Sequence, residues 1–146
     1  MDADQRRKIQ QECRDIIVNL VTLSDRGSAD EALAYFVADG VWVRGGKPMA
    51  GHPQILAYFN DRTPGMLTRH LVSNMMIDVI DDRTATGLSY YTAYVHDSGP
   101  AALTLPAPLG IPFSVGEWHD RFRLTDNGWR IVHRETKRLF KGPGSH

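Results

Sequence analysis

The sequence predicts an α+β fold in which N-terminal helices pack against a strongly curved, mixed but mainly antiparallel sheet. Three observations predict it. Apolar residues recur at helical spacing up to about residue 60, the period then changes from 3.6 to 2, and turn-forming residues separate the later segments. Helices followed by strands indicate a single domain, expected over residues 1–141, with a disordered tail at 142–146.

Helical periodicity indicates three helices in the first half of the chain. Apolar spacing predicts the first over residues 4–25. A capping-box pattern at Ser28 and Glu31 predicts a short second helix that continues to Phe36. Pro53 fits the first turn of a third helix, because proline lacks the N–H that this position leaves unpaired.

Alternating polarity predicts strands after the helices. A brief strand is expected around Trp42, and four longer ones at about 70–79, 84–96, 115–124 and 129–138. The segment 97–114 is rich in proline yet also apolar, so residues 101–113 are expected to be buried as a lid over a site or as an oligomer contact. The residues do not decide between these two roles.

Composition excludes several functions. The chain has 17 Lys plus Arg and 17 Asp plus Glu, so no global field favours nucleic acid or an anionic membrane, and a small neutral or weakly charged ligand is expected. The lone Cys13 excludes an internal disulfide and a thiolate zinc cluster. No apolar run approaches a membrane span, and the polar N-terminus predicts a soluble, cytoplasmic protein.

Three ionisable residues fall where the pattern expects inward-facing apolar side chains. Asp25 follows Val21 by four residues on the apolar stripe of the first helix, so its carboxylate should face the core. His70 begins one predicted strand, and His96 ends another on the parity of several tyrosines. A buried carboxylate needs a partner, and an imidazole suits it, so we predict contact between Asp25 and His70.

Further polar and aromatic residues are candidates for binding a ligand around this pair. Asn74 suits a substrate oxygen or a water, with backbone capping as its alternative role. Asp120 and His133 either extend the pocket or form structural contacts, such as a salt bridge to Arg121 or Arg134. The complete set of expected binding residues is Trp42, Tyr58, Asn74, Tyr90, Tyr94, Trp118, Asp120 and His133.

Taken together, five segments carry a resemblance to a known family. They are Leu23–Gly27, Ala32–Phe36, Thr68–Asn74, Asp120–Phe122 and Asn127–Ile131. In this order and spacing the chain resembles the SnoaL-like members of the nuclear transport factor 2-like superfamily, over most of residues 8–139. That superfamily includes scytalone dehydratase, polyketide cyclase and dioxygenase beta-subunit types. The resemblance implies a cone-shaped α+β barrel.

The dehydratase type of this superfamily offers the closest chemical analogy. There a helix-end Asp and a strand-start His form a dyad, and these roles fall on Asp25 and His70. A second histidine of scytalone dehydratase falls near His96 after a one-residue shift. The analogy is cofactor-free, and the residues show no close His and carboxylate pair on one element that would favour a facial iron triad, so no metal or cofactor is expected.

The leading hypothesis is a cofactor-independent lyase, such as a dehydratase, or an isomerase or cyclase that acts on a hydrophobic polycyclic or aromatic molecule. His70 would remove a proton beside a carbonyl, Asp25 would orient it, and His96 with Tyr90 or Tyr94 would donate a proton. The alternative is a non-catalytic ligand-binding protein or an oxygenase small subunit, with Asp25 in a structural salt bridge. A homodimer or higher homo-oligomer is expected in either case.

Overall fold

The structure is a computed structural model that describes residues 1–144. Within that range the chain forms three helices and six strands. In chain order they are α1 (Ala3–Asp25), α2 (Ala29–Leu33), β1 (Phe36–Arg44), β2 (Lys47–Ala50), α3 (Gly51–Asn60), β3 (Met66–Val79), β4 (Thr84–Asp97), β5 (Ser114–Thr125) and β6 (Gly128–Lys141). The α+β class and the order of helices before strands are therefore confirmed.

The strands form one mixed sheet with the order β2-β1-β6-β5-β4-β3. All neighbours are antiparallel except β1 and β6, which are parallel. The sheet is not closed, since β2 and β3 lie at its two edges, so it is an open curved sheet rather than a closed barrel. Helix α1 packs against β3 and β6, and α3 packs against β1, which places the core between the helices and one sheet face.

Helix α1 positions the candidate dyad. An Asp2 side chain accepts from the Gln5 N–H and completes a capping box at the start of the helix. Buried Ile17 and Val21 continue the apolar stripe along the face that ends at Asp25. Gly27, with φ of +76°, then turns the chain in the left-handed region that glycine tolerates best.

The region after α1 differs from the sequence prediction. Helix α2 ends at Leu33, and Phe36 already belongs to β1. The Ser28 side chain makes no capping hydrogen bond, so the predicted capping box is absent. Phe36 is 2% exposed because it packs in the core as the first residue of a strand, and the tertiary contact overrides the local helical pattern.

The inward and outward faces of β4 are the reverse of those that the sequence predicts. Its inward face carries Ser89, Tyr91 and Ala93, which are buried, whereas Tyr90 on the other face is 44% exposed. Two small residues and one tyrosine occupy the inward face, and the other two tyrosines of the strand lie on the outward face. His96 and Tyr94 share the outward parity of Tyr90.

An irregularity in β3 displaces another predicted site residue. The register between β3 and β4 shifts between Ser73 and Met76, and Asn74 there has a φ of +51°. Asparagine is one of the few residues that adopt this left-handed conformation readily. The shift exchanges the two faces of the strand, so Ile77 and Val79 are buried while Asn74 is exposed.

The proline-rich segment is largely uncovered in the monomer. Leu105, Leu109 and Ile111 are 68%, 88% and 64% exposed, which contradicts their predicted burial as a lid within one chain. Phe113, at the end of the segment, lines a cavity between the helices and the sheet. Burial against a second copy of the chain stays a prediction.

The predicted disordered tail begins at a hydrogen-bonded residue. The Gly142 N–H donates to the Phe113 carbonyl oxygen at 2.8 Å, and residues 145–146 lie outside the described range. Within residues 1–144, no helix combines the length and the apolar composition needed to cross a membrane.

Cys13 has the properties of a core residue, as the sequence predicts. Its side chain is 0% exposed, and burial, with smaller contributions from Glu12 and Asp120, raises the pKa of its thiol to about 12. Because the thiolate is the reactive form, the native protein should react with a thiol reagent at least about a hundredfold more slowly than the unfolded chain. Following the release of thionitrobenzoate with and without urea tests this, and equal rates would contradict it.

Candidate active site

Asp25 and His70 meet in the structure. Asp25 Oδ1 lies 2.7 Å from His70 Nδ1, so the predicted contact is confirmed as a direct hydrogen bond. The contact forms because the last residue of α1 packs beside the start of β3. Two further donors reach the carboxylate: the Thr68 hydroxyl donates to Oδ1 at 3.0 Å and the His70 backbone N–H donates to Oδ2 at 2.9 Å.

This arrangement determines which nitrogen of His70 faces a ligand. The Asp25 side chain is 6% exposed and acts as a hydrogen-bond acceptor, so a proton on Nδ1 satisfies it. The other nitrogen, Nε2, then carries the free lone pair of the neutral ring. The His70 side chain is 25% exposed and lines a cavity, so the pair has the geometry of a general base with an orienting carboxylate.

The cavity beside His70 has a volume of about 780 Å³, within the range of small-molecule sites. It lies between the helices and the concave face of the sheet. Its buried interior is lined by Trp42, Phe59, Thr68, Tyr91, Ala93, Ser114, Trp118 and Arg134. A large, partly aromatic interior suits a planar or multi-ring ligand.

Aromatic rings define the wall next to the dyad. Tyr91 stacks on Trp118 with ring centroids 4.8 Å apart and an interplanar angle of 20°. The His70 ring lies 5.8 Å from the Trp118 ring and 6.2 Å from the Tyr91 ring. Gly116 allows this packing, since a Cβ there would lie 2.8 Å from the Tyr91 hydroxyl oxygen and 2.3 Å from the Lys137 carbonyl oxygen.

A buried ion pair lies in the interior of the cavity. Arg134 donates from Nε and Nη2 to the two carboxylate oxygens of Asp120, at 2.7 and 2.9 Å. Their side chains are 1% and 0% exposed. The guanidinium also lies 4.4 Å from the Trp118 ring centroid and 5.6 Å from that of Trp42, in the range of cation–π contacts. This fixed cation therefore shares the Trp118 wall with His70.

Tyr58 brings a phenol to the same cavity. Burial raises the pKa of Tyr58 above its ordinary value, and the nearby Arg44 and Arg62 oppose that rise. The phenol therefore stays protonated at neutral pH and is available as a hydrogen-bond donor. The Arg44 guanidinium lies 4.2 Å from the Tyr58 ring centroid and holds the ring against Trp42.

The structure brings together part of the predicted site. Trp42, Tyr58, His70 and Trp118 line the cavity, and Asp25 lies directly behind His70. Besides Asp25, six predicted residues do not line it. Asn74, Tyr90, Tyr94, His96 and His133 are all outside its lining, and Asp120 is occupied by its ion pair with Arg134.

The misplaced residues have structural causes. The reversed faces of β4 turn Tyr90, Tyr94 and His96 away from the helices. A register shift between β5 and β6 at Arg121 and Phe122 has a similar effect on β6: after it Arg134, not His133, faces inward. Asp120 forms a buried salt bridge with Arg134, which is the structural alternative to a pocket role that the sequence leaves open.

Sequence reasoning missed three residues that complete the site. Thr68, which donates to Asp25, lies two positions before His70 and so shares its face, a signal that the spacing contains. Tyr91 and Arg134 depend on the orientation of β4 and on the register shift, for which the sequence has no local signal. As to a metal, residues 1–144 contain no cluster of three or more His, Cys, Asp or Glu side chains placed to hold one.

The chain belongs to the SnoaL-like domain family, whose model matches residues 5–135. A comparison with curated proteins finds no significant match. Among solved structures, a scytalone dehydratase-like protein from Novosphingobium aromaticivorans is similar, with a TM-score of 0.79 and 19% identity, covering 97% of this chain and 91% of the other.

Two further structures have the same fold. Rv3472 from Mycobacterium tuberculosis, a protein of unknown function, has a TM-score of 0.77 and 20% identity, covering 94% of this chain and 76% of that one. A type 2 hexachlorocyclohexane dehydrochlorinase, LinA, has a TM-score of 0.78 and 13% identity, covering 99% of this chain and 96% of its own. At these identities the likeness establishes the fold alone.

Proposed function

We propose that this protein is a cofactor-independent lyase or isomerase that acts on a hydrophobic polycyclic or aromatic small molecule. The observation that carries the proposal is the 2.7 Å hydrogen bond from His70 to a buried carboxylate beside an aromatic cavity of about 780 Å³. His70 lines this cavity with its Nδ1 held by Asp25, whereas a structural histidine in a packed core would line no such space. Proton transfer at neutral pH is the chemistry that this arrangement suits.

In the proposed reaction, His70 Nε2 removes a proton from a carbon next to a carbonyl group. The C–H electron pair forms a double bond, and in a lyase a leaving group departs from the neighbouring carbon. Asp25 stabilises the imidazolium and keeps its ring oriented, and Thr68 holds the carboxylate. In an isomerase the same proton returns to another carbon.

The donor role moves to other residues than the sequence suggested. His96 and Tyr90 do not line the cavity, whereas the phenols of Tyr58 and Tyr91 do. A protonated phenol can assist a leaving hydroxyl or polarise a carbonyl. We assign the donor role to Tyr58 and Tyr91.

The comparisons support the class rather than the substrate. The neighbours include a scytalone dehydratase-like protein and a dehydrochlorinase, whose names describe elimination from small molecules. The non-catalytic alternative places Asp25 in a structural salt bridge, such as one to Arg26 or Arg69. Asp25 instead pairs with His70, and the Arg69 guanidinium donates to the Thr68 carbonyl. The absence of a cofactor, the cytoplasmic location and the homo-oligomer stay predictions.

Proton abstraction can be tested before the natural substrate is known. Incubation with a panel of hydroxylated polycyclic ketones in D₂O should exchange the hydrogen beside the carbonyl of the compounds that bind, or produce new conjugated absorbance where a hydroxyl leaves. Proton NMR and ultraviolet spectra measure the two outcomes. Binding of panel members with neither exchange nor elimination would favour the ligand-binding alternative.

A further inference from the structure

Cationic side chains gather at the rim of the cavity. Arg44 at the end of β1, Lys47 at the start of β2, Arg62 after α3 and Arg138 in β6 are all part of the cavity lining and all partly or fully exposed. In the described part of the chain, the lining includes one carboxylate at the rim, Asp61. The chain as a whole has no net charge, so this excess arises from folding.

Among the described residues, no carboxylate forms an ion pair with these cations. Within residues 1–144, the ion pairs are Arg7 with Asp4, His70 with Asp25, His119 with Glu117 and Arg134 with Asp120. None of them involves a rim cation. Arg134 is a useful contrast, because the cation in the interior is paired while the four at the rim are not.

Contacts with the wall hold three of the rim cations in place. The Arg44 guanidinium lies over the Tyr58 ring at 4.2 Å, and that of Arg138 lies 5.9 Å from the Phe113 ring centroid. Arg62 donates to the Thr68 hydroxyl at 3.2 Å. Ordered guanidinium groups bind planar anions well, since less side-chain freedom is lost on binding.

Arg138 and the reacting centre are at separate depths of one cavity, whereas Arg62 is linked to the dyad through Thr68. Arg134 is buried and Arg138, four residues on, is exposed, a distance of about 13 Å along the strand. His70 and Arg134 both contact the Trp118 ring, which places the proposed chemistry in the interior. A ligand with an apolar body and a charged end matches this division.

We propose that the substrate is an organic acid, whose apolar ring system fills the interior while its carboxylate binds Arg44 and Arg138 at the rim. That this acid is a substrate rests on the function proposed above, whereas the preference for binding a carboxylate does not. The proposal narrows the expectation of a small neutral or weakly charged ligand, because total charge does not show where cations gather. The rim cations also attract the anion electrostatically before it binds.

The test uses two probes with the same ring skeleton, anthracene carboxylate and the corresponding anthracene carboxamide. Fluorescence titration at low salt should show that the carboxylate binds at least about tenfold more tightly. The ratio of the two affinities should fall in 0.5 M NaCl, because salt screens the attraction between the carboxylate and partly exposed cations. These measurements need no variant, so they do not depend on the folding of a mutant.

A matched pair of variants locates the preference. Arg44→Gln with Arg138→Gln should reduce the preference to less than about threefold, taken as the ratio of the two affinities so that any change in ring binding cancels. Arg121→Gln with Arg123→Gln removes the same charge from exposed positions outside this cavity and should keep the full preference. Circular dichroism melting checks that both variants fold.

Each outcome separates this inference from the proposed function. Three results would each overturn the rim site: equal affinities for the two probes, a carboxylate dissociation constant above about 1 mM, or equal losses of the carboxylate preference in the two double variants. His70→Ala should keep the carboxylate preference, because it removes the base and not the rim. A preserved preference without exchange of any acidic ketone in D₂O would reject the catalytic proposal and leave this one standing.

Discussion

Replacing His70 with alanine should lower turnover of an active compound by about 10²- to 10⁴-fold and change its affinity by less than about tenfold. The reason is that Nε2 is the proposed acceptor of the proton, whereas the aromatic walls and the rim supply most of the binding. Steady-state rates together with equilibrium titration of the same compound measure the two effects separately.

The turnover of Asp25→Asn should fall between that of the native protein and that of His70→Ala. The amide keeps the shape but cannot stabilise the imidazolium, and it can favour the wrong tautomer of His70. A suitable control is His119→Gln, which changes a histidine on β5 that lies outside the main cavity and should leave turnover unchanged. Undiminished turnover in His70→Ala would reject the mechanism.

Breaking the Asp120–Arg134 pair should have the largest effect on stability. Asp120→Leu leaves the Arg134 cation, 1% exposed, without its carboxylate, and should lower the free energy of unfolding by about 3–5 kcal/mol. Equilibrium unfolding in urea measures the change. The cost comes from stranding a desolvated charge, so removal of the second charge should reverse most of it.

The double variant Asp120→Leu with Arg134→Met is the matched control for that argument. It should recover at least half of the lost stability, since apolar residues of similar size can replace a buried pair. Asp4→Asn at the exposed Arg7–Asp4 pair should change stability by less than about 1 kcal/mol. A double variant as unstable as Asp120→Leu would show that packing, not charge, sets the cost.

Local pattern was sufficient for the elements and for the dyad. The stripe that places Asp25 on the buried face of α1 follows from residues four apart, and the same rule of shared faces places His70 inward at the start of β3. A buried carboxylate also needs a partner, which makes the pairing chemically compelling. The same spacing along α1 predicts that Cys13 lies in the core, where the structure places it.

The sequence prediction of which strand face is inward is wrong where small residues lie inward. On β4 the aromatic residues at 90 and 94 suggested a buried face, but the curved sheet takes up Ser89 and Ala93 on its concave side. Sequence alternation identifies two faces without stating which one the helices cover. Once the helices cover the face that carries Ser89 and Ala93, Tyr91 faces inward and His96 faces outward.

What the sequence by itself determined is the α+β class, the order of the elements, the family and the contact between Asp25 and His70, because each rests on short-range spacing or on several motifs read together. Only the tertiary structure decided the open sheet, the inward Arg134 and the cationic rim. Register shifts in β3 and β6 exchange strand faces without a local signal. The rim gathers Arg44, Arg62 and Arg138 from distant parts of a chain with no net charge, and only packing brings such residues together.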